Sequence, residues 1–146
     1  MHLLDANVLI YAFRRDSPYH GPCYAWLTSA LLQESPVATT SVVDLALLRI
    51  VTLPSLGKAA AAVADVFRFL AALEAQPAVV RIEPTDRHLP LFAKLCVDLK
   101  LRGNDINDAY LAALALEHDA VFVTADRGFA RFSGLRILDP LAGEGG

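Results

Sequence analysis

The sequence predicts a three-layer α/β/α sandwich built around a five-stranded parallel sheet. Short apolar segments of strand length alternate with longer segments whose apolar residues recur at helical spacing. This alternation is typical of a parallel sheet that is covered by helices on both faces. At 146 residues the chain fits one domain with its own core. We assign residues 1–141 to this domain and residues 142–146 to a Gly-rich, flexible tail.

Five short apolar segments are predicted to form the strands. The first ends in an acid, Asp5, and the second follows Pro36. All five are short and apolar enough to lie in the interior of an α/β fold. The predicted strands are residues 3–5, 37–40, 79–82, 121–124 and 136–138.

The segments between the strands are predicted to be helices, and prolines delimit several of them. A proline interrupts a helix because it lacks the backbone N–H and its ring clashes with the preceding turn. Pro18 precedes the second predicted helix, Pro54 ends the third and Pro77 ends a long, Ala-rich fourth. The predicted helices are residues 7–12, 19–32, 41–52, 58–75, 85–99 and a buried helix that begins near Asp105 and Asp108.

Composition excludes several classes of protein. The hydrophobic fraction of 55% argues against disorder. The longest unbroken apolar run is eight residues, whereas a membrane span needs about 20. The N-terminus has no basic region of a signal peptide, so we expect a cytoplasmic location with Cys23 and Cys96 reduced. A net charge of −3 gives no basic footprint for nucleic acid, although acids that hold cations would themselves lower the charge.

Carboxylates fall where the predicted strands end. Asp5 ends the first strand, Asp44 follows the second, Asp126 follows the fourth, and Asp108 lies at the start of the last helix. A helix packed on a parallel sheet runs opposite to the strands, so helix starts and strand ends share the edge where ligands bind. We therefore expect these four acids at one edge of the sheet.

Each acid also has a purely structural interpretation. Asp5 can cap the following helix, and Ser41-x-x-Asp44 is close to a capping box. Asp105 and Asp108 can cap the last helix, and Asp126 can begin a turn. A cap contributes about 0.5–2 kcal/mol.

The combined set is harder to explain by caps. Two carboxylates about 4 Å apart repel by about 4 kcal/mol at an effective dielectric constant near 20. A converged set would therefore protonate, splay apart or hold a cation. Oxygen ligands without Cys or His favour Mg²⁺ or Mn²⁺, and such sites commonly hydrolyse phosphodiesters.

At these residues the sequence resembles the PIN-domain family, specifically the VapC-type toxins of bacterial toxin–antitoxin pairs. The matching pieces follow the family's order and spacing over nearly the whole chain. They are LLDANVLIYA at 3–12, DLALLRIVTLP at 44–54, NDAYLAALALEHDAVFVTADRGFARF at 107–132 and GLRILDPL at 134–141. The resemblance implies a Mg²⁺- or Mn²⁺-dependent endoribonuclease that cleaves RNA. It also implies a small VapB-type antitoxin as partner, and usually a homodimer.

The resemblance also implies roles for individual residues. Asp5 and Asp108 match direct metal ligands, and Asp126 matches an acid that ligates directly or through water. Asn7 matches the small polar residue that orients the first acid. The family usually has Glu where this chain has Asp44, so Asp44 either acts through a water or only caps its helix.

Several further residues are assigned supporting roles. Asp105 has no general family counterpart and is interpreted as a cap or an outer-shell acid. Basic residues near the same edge are candidates for contacts with RNA phosphates, or are solvated surface charges. They are Arg14, Arg15, Lys100, Arg102 and Arg127. The alternative function is a PIN-like module that binds RNA or protein without cleaving it.

Overall fold

The computed structural model describes residues 1–143, and a five-stranded parallel sheet forms its centre. The strands lie in the order β3-β2-β1-β4-β5, so β1 occupies the middle and its end faces the middle of one sheet edge. All four strand pairs are parallel, which confirms the predicted sheet. The strands are β1 His2–Leu4, β2 Val37–Thr39, β3 Val79–Arg81, β4 Val121–Val123 and β5 Ile137–Leu138.

Helices connect the strands in the manner that a parallel sheet requires. Two short 3₁₀ helices, Pro54–Ala59 and Arg127–Arg131, lie between the longer elements. The α-helices are α1 Ala6–Phe13, α2 His20–Ala30, α3 Ser41–Val51, α4 Val63–Glu74, α5 His88–Asp98 and α6 Asp105–Glu117.

The predicted helix over residues 58–75 is wrong in its first part, because α4 begins only at Val63. Gly57 adopts φ 56° and ψ −125°, which kinks the 3₁₀ segment, and Ala60 after its end is extended. The amide of Ala61 then donates to the carbonyl of Val51 at 2.8 Å. This contact ties the extended segment to the end of α3, and the alanines there have no large side chains to bury in a helix.

The central strands and α6 form the middle of the core. Leu3, Leu4, Phe122 and Val123 are fully buried in β1 and β4. Helix α6 buries residues on all sides, among them Ala112 and Ala113 next to Leu114, as the sequence predicted. Cys23 and Cys96 are free thiols.

Two further expectations concern membranes and the tail. Among residues 1–143, no helix combines the length and the apolarity that crossing a bilayer requires. Most of the predicted flexible tail, residues 144–146, lies outside the described residues.

Candidate active site

Asp5 lies directly after β1, at the centre of the carboxyl edge of the sheet. Its backbone is extended, with φ −80° and ψ 157°, and it is the N-cap of α1. Its amide donates to the carbonyl of Val123 at 2.9 Å, and its Oδ1 accepts from the amide of Ala6 at 2.7 Å. The side chain is therefore fixed by both the strand pairing and the helix start, and only 7% of the residue is exposed.

A buried hydroxyl and an amide hold the second oxygen of Asp5. The Thr124 hydroxyl donates to Asp5 Oδ2 at 2.7 Å, and Asn7 Nδ2 approaches the same oxygen at 3.3 Å. Asn7 also donates to Thr124 Oγ1 at 3.2 Å and accepts from the amide of Ala125 at 3.3 Å. Because Thr124 Oγ1 also accepts from the amide of Asp126 at 3.0 Å, this network joins the ends of β1 and β4.

Thr124 is one of the site residues that the sequence interpretation missed. The signal was available, since Thr124 directly follows an apolar strand and stands two residues before Asp126. Its position beside Asp5 depends, however, on β4 pairing with β1, which are 117 residues or more apart in the sequence. Asn7, by contrast, contacts the first acid as the family resemblance implied.

Burial and neighbouring charges change the acidity of Asp5. Removal from water raises the pKa of Asp5 to about 6, and hydrogen bonds from Thr124 and Ala6 oppose this rise. The carboxylates of Asp108 and Asp126 raise the pKa further through charge repulsion. Asp108 and Asp126 therefore lie close enough to Asp5 for their charges to act on it across the same edge.

Asp108 and Asp126 approach the edge from two other elements. Asp108 lies in the first turn of α6 and is half-buried, and desolvation raises its pKa, with contributions from the charges of Asp126 and Asp105. Asp126 is exposed, and its Oδ1 accepts from the amide of Gly128 at 2.8 Å at the start of a 3₁₀ helix. Asp126 therefore does begin a turn, as its structural interpretation proposed.

A guanidinium from the same 3₁₀ helix contacts Asp108. Arg131 Nη2 donates to Asp108 Oδ2 at 3.0 Å and lies 3.6 Å from Asp105 Oδ1. This ion pair lowers the pKa of Asp108 against the effect of burial. Arg131 was not among the residues selected from the sequence, because an arginine 23 positions away from its partner gives no local signal.

The predicted capping roles at the start of α6 are not realised. The N-cap of α6 is Asn104, and no side chain there accepts from a helix amide. Asp105 is the first residue of the helix, with 62% of its side chain exposed. It remains an acid in the first helical turn, where the macrodipole favours negative charge, and it lies next to the Asp108–Arg131 pair.

Asp44 belongs to a different network. Its Oδ2 accepts from Arg81 Nη2 at 2.7 Å, and the same nitrogen donates to Glu74 at 2.6 Å. Burial raises the pKa of Asp44, and the charges acting on it are those of Arg81, Glu74 and Glu83. The charges acting on Asp5 are instead Asp108 and Asp126. Asp44 Oδ1 is buried without a hydrogen-bond partner, so the residue is only partly satisfied by Arg81.

The expected capping box at Ser41 and Asp44 is wrong. Ser41 is already inside α3, and the N-cap residue Thr40 makes no side-chain cap. The amide of Ser41 donates instead to Glu83 Oε1 at 2.9 Å. An acid from the segment after β3 thus caps α3, and Asp44 is left free to pair with Arg81.

The five basic residues proposed for RNA lie in two places. Arg14 is the C-cap of α1, about 12 Å along the helix from its start, and pairs with Asp16 at 2.7 Å. Arg15 follows it and is exposed. Lys100 and Arg102 are exposed in the connection before α6, and Arg127 is exposed directly after Asp126. The last three are therefore close in sequence to the acids of the edge, whereas Arg14 is at the far end of its helix.

An apolar groove of about 310 Å³ adjoins the acids. Ala6 and Asn107, the neighbours of Asp5 and Asp108, contribute to its wall. Other lining residues come from α3 and α5 and include Leu45, Arg49 and Phe92. The edge that carries Asp5, Asp108 and Asp126, called the acidic edge below, is thus bordered by a surface with apolar, aromatic and cationic groups.

The donor chemistry of Asp5, Asp108 and Asp126 fits a hard divalent cation, since all donors are carboxylate oxygens. In the structure these carboxylates are engaged by internal donors, namely Thr124, Arg131 and the amide of Gly128. Within residues 1–143, no three His, Cys, Asp or Glu side chains converge closely enough to hold a metal ion. Each of the three carboxylates is thus held by a donor of its own in the metal-free chain.

Comparison with protein families gives a match over almost the entire chain. A model described as "PIN domain" matches residues 2–135. Ribonuclease VapC43 of Mycobacterium tuberculosis is 38% identical over 144 residues, which cover 99% of this chain and 98% of the relative. Ribonuclease VapC25 of the same organism is 37% identical over 140 residues, covering 96% of this chain and 99% of the relative.

Solved structures share the fold. VapBC2 from Rickettsia felis, bound to a DNA fragment from its promoter, matches with a TM-score of 0.72 and 20% identity, covering 94% of this chain and 97% of that chain. VapC20 of Mycobacterium tuberculosis, a toxin that cleaves the sarcin-ricin loop, matches with a TM-score of 0.65 and 18% identity. That match covers 93% of this chain and 99% of the VapC20 chain.

Proposed function

The chain belongs to the PIN-domain family, and on that basis we propose that it is a VapC-type toxin, a metal-dependent endoribonuclease neutralised by a cognate antitoxin. The observation that carries the proposal is the placement of Asp5 at the end of β1, joined through Thr124 to the segment that bears Asp126, at the edge where α6 begins. Burial and the charges of Asp108 and Asp126 raise the pKa of Asp5 to about 6. Full-length similarity to ribonucleases supports the same activity.

We assign the metal to Asp5 and Asp108, with Asp126 ligating directly or through water. A bound Mg²⁺ or Mn²⁺ would lower the pKa of a water molecule and neutralise charge on the phosphodiester transition state. Thr124 and Asn7 position Asp5 by fixing its Oδ2. This arrangement follows the rule that ligating carboxylates are themselves oriented by hydrogen bonds.

Asp44 is assigned a supporting role. Arg81 engages its Oδ2, and Glu74 shares the same guanidinium. The buried, unpartnered Oδ1 gives Asp44 one free acceptor, so the residue can still act through a water. Arg81 is expected to keep Asp44 ionised by supplying an opposite charge.

RNA phosphates are expected to contact the exposed cations of the edge. Lys100, Arg102 and Arg127 are the stronger candidates because they flank α6 and Asp126. Arg14 is the weaker candidate because Asp16 already neutralises it, and Arg15 follows it at the far end of α1. Phosphate contacts of this kind orient a nucleic acid without reading its sequence.

The proposed partners are a small VapB-type antitoxin and a second copy of the chain. We expect an antitoxin segment to cover the acidic edge and to place a basic side chain among the acids, by charge complementarity. An antitoxin complex whose acidic edge stays open to solvent would contradict this. Leu45, Leu89 and Val97 each expose at least 63% of their surface, which supplies apolar area for a homodimer. RNA substrates and an antitoxin are consistent with action in the cytoplasm.

The alternative function is a PIN-like module that binds RNA or protein without cleaving it. It is favoured by the absence, among residues 1–143, of three converged carboxylates, and by the ion pair that already engages Asp108. The presence of Asp5, Asp108 and Asp126 at one edge opposes it.

Incubation of the antitoxin-free chain with tRNA, rRNA and mRNA tests the proposal. Cleavage is expected with Mg²⁺ or Mn²⁺ and is expected to disappear with EDTA or with Asp5→Asn. Asp98→Asn is a matched control, because Asp98 pairs with Lys94 on the exposed surface of α5. Cleavage that survives both EDTA and Asp5→Asn would contradict the metal mechanism, and no cleavage of any RNA would favour the binding module.

A further inference from the structure

Arg131 is held against the acidic edge by contacts on three sides. Its Nη1 donates to the carbonyl of Gly128 at 2.6 Å, and its Nη2 donates to Asp108 Oδ2 at 3.0 Å. The guanidinium carbon also lies 4.7 Å from the centre of the Phe132 ring, a cation–π distance. With 30% of its side chain exposed, Arg131 is a partly buried charge with a defined position.

Gly128 leaves the space that this guanidinium occupies. A Cβ at position 128 would lie 2.8 Å from Arg131 Nη1 and 3.1 Å from Asp126 Oδ1. The φ angle of Gly128 is not in the left-handed region, so the backbone does not itself demand glycine. The absence of a side chain at position 128 therefore leaves room for both the Arg131 guanidinium and the Asp126 carboxylate.

Arg131 supplies the positive charge that pairs with the two acids in the first turn of α6. Among the ion pairs formed by residues 1–143, those of Asp105 and Asp108 are both with Arg131. Asp108 is also the acid that we assign to a divalent cation. A metal ion on Asp108 would thus meet a fixed positive charge that is already bound to the same carboxylate.

We propose that Arg131 is an internal counter-ion that stabilises the metal-free acidic edge and competes with the divalent cation for Asp108. The inference rests on the proposed metal-dependent function. Without metal, Arg131 offsets the repulsion among the acids. With metal, its charge opposes loading, so the chain binds a divalent cation more weakly than its carboxylates alone would.

Metal binding by the purified, antitoxin-free chain tests this directly. Mn²⁺ affinity is measured without RNA, by titration calorimetry and by the electron paramagnetic resonance signal of free Mn²⁺. Arg131→Gln is expected to bind Mn²⁺ about tenfold more tightly than the wild type. This is the magnitude expected for charges of +2 and +1 a few ångström apart in largely solvated surroundings.

Arg136→Gln is the matched control. Arg136 also donates to a backbone carbonyl and a carboxylate, both of Asp119, at 2.7 and 2.9 Å. Asp119 precedes β4, at the opposite edge of the sheet from the acids. The Mn²⁺ affinity of Arg136→Gln is therefore expected to stay within twofold of wild type.

Gly128→Ala is a second variant that removes the Arg131 guanidinium from its position beside Asp108. Its Cβ displaces the end of the flexible Arg131 side chain, so tighter Mn²⁺ binding is expected again, with no further gain when Arg131→Gln is already present. Circular dichroism checks the fold, and Gly128→Ala carries the test if Arg131→Gln does not fold.

Three results would overturn the inference. Unchanged Mn²⁺ affinity in both folded variants would show that the charge of Arg131 does not oppose the metal. Weaker affinity in Arg131→Gln would show that Arg131 orients Asp108 for the metal. If the wild type binds no Mn²⁺, the proposed metal-dependent function fails together with the inference.

Discussion

Replacing Asp5 with Asn should stabilise the metal-free chain at neutral pH while abolishing cleavage. In the metal-free fold the carboxylate of Asp5 is buried, and Asp108 and Asp126 repel its charge. Asn keeps an oxygen to accept from the Ala6 amide, but carries no charge. The substitution therefore removes an unfavourable buried charge and, with it, a proposed metal ligand, which is the stability–activity trade-off expected of a functional residue.

The size and sign of the effect follow from the pKa of Asp5. This pKa rises from 3.8 to about 6 on folding, so the folded chain holds the proton more tightly than the unfolded chain. Stability is therefore highest below about pH 4 with respect to this group and falls as pH rises towards 6. The full difference corresponds to about 3 kcal/mol. Because Asn binds Thr124 less well than a carboxylate does, we expect a net gain of about 1–2 kcal/mol at pH 7.5.

Urea unfolding monitored by circular dichroism, in EDTA from pH 4 to 8, measures this effect. Asp5→Asn should match or fall below the wild type near pH 4 and exceed it above pH 6. A gain of 1–2 kcal/mol corresponds to a rise in Tm of about 2–8 °C for a chain of this size. Asp98→Asn should change stability by less than about 0.5 kcal/mol at every pH. A stability difference between Asp5→Asn and the wild type that stays constant from pH 4 to 8 would refute the reasoning.

Three further substitutions test the network around Asp5 and the separate network of Asp44. Thr124→Val removes the hydroxyl that joins Asp5 to the Asp126 amide and should lower the cleavage rate by about tenfold to a hundredfold. Thr124→Ser keeps a hydroxyl and should retain most of the cleavage rate. Equal cleavage rates for the Val and Ser variants would exclude a role for the hydroxyl. Asp44→Asn should lower the cleavage rate by no more than about tenfold, because Arg81 already engages this acid. A loss of cleavage as large as that of Asp5→Asn would make Asp44 a direct participant in the reaction. Arg81→Met leaves three carboxylates without their shared counter-ion. It should reduce the free energy of unfolding by about 1–2 kcal/mol in a urea titration, and an unchanged free energy would show that water compensates these carboxylates fully.

The acids could be predicted from the sequence because their placement follows from topology. Asp5 directly follows β1, Asp126 lies three residues after the end of β4, and Asp108 lies in the first turn of a helix that runs against those strands. Parallel pairing of β1 with β4 then brings the strand ends together. Their position can be predicted once the order of strands and helices is correct. The bounds of most of these elements were predicted to within a few residues.

The partners of these acids could not be predicted in the same way. Thr124 reaches Asp5 across 119 positions, and Glu83 caps α3 across 42. Each contact depends on where a side chain points when two distant segments meet in the fold. The periodicity of a single sequence does not carry that information. The error at residues 58–62 has a similar origin, because the amide of Ala61 pairs with Val51 across the end of α3 instead of continuing a local helix.

Arg81 and Arg131 give a physical reason why we propose Asp108, and not Asp44, as a ligand of the cation. Arg81 bonds Asp44 at 2.7 Å and Glu74 at 2.6 Å, with Glu83 at 3.6 Å, so displacing it from Asp44 would disturb a guanidinium held by three carboxylates. Among the carboxylates, Arg131 hydrogen-bonds to Asp108 at 3.0 Å and lies farther from Asp105, at 3.6 Å. A divalent cation arriving at the edge therefore meets less resistance at Asp108. Asp44 and Asp5 also lie in separate charge environments. Burial raises the pKa of both, but the charge of Arg81 lowers the pKa of Asp44, whereas the charges of Asp108 and Asp126 raise the pKa of Asp5.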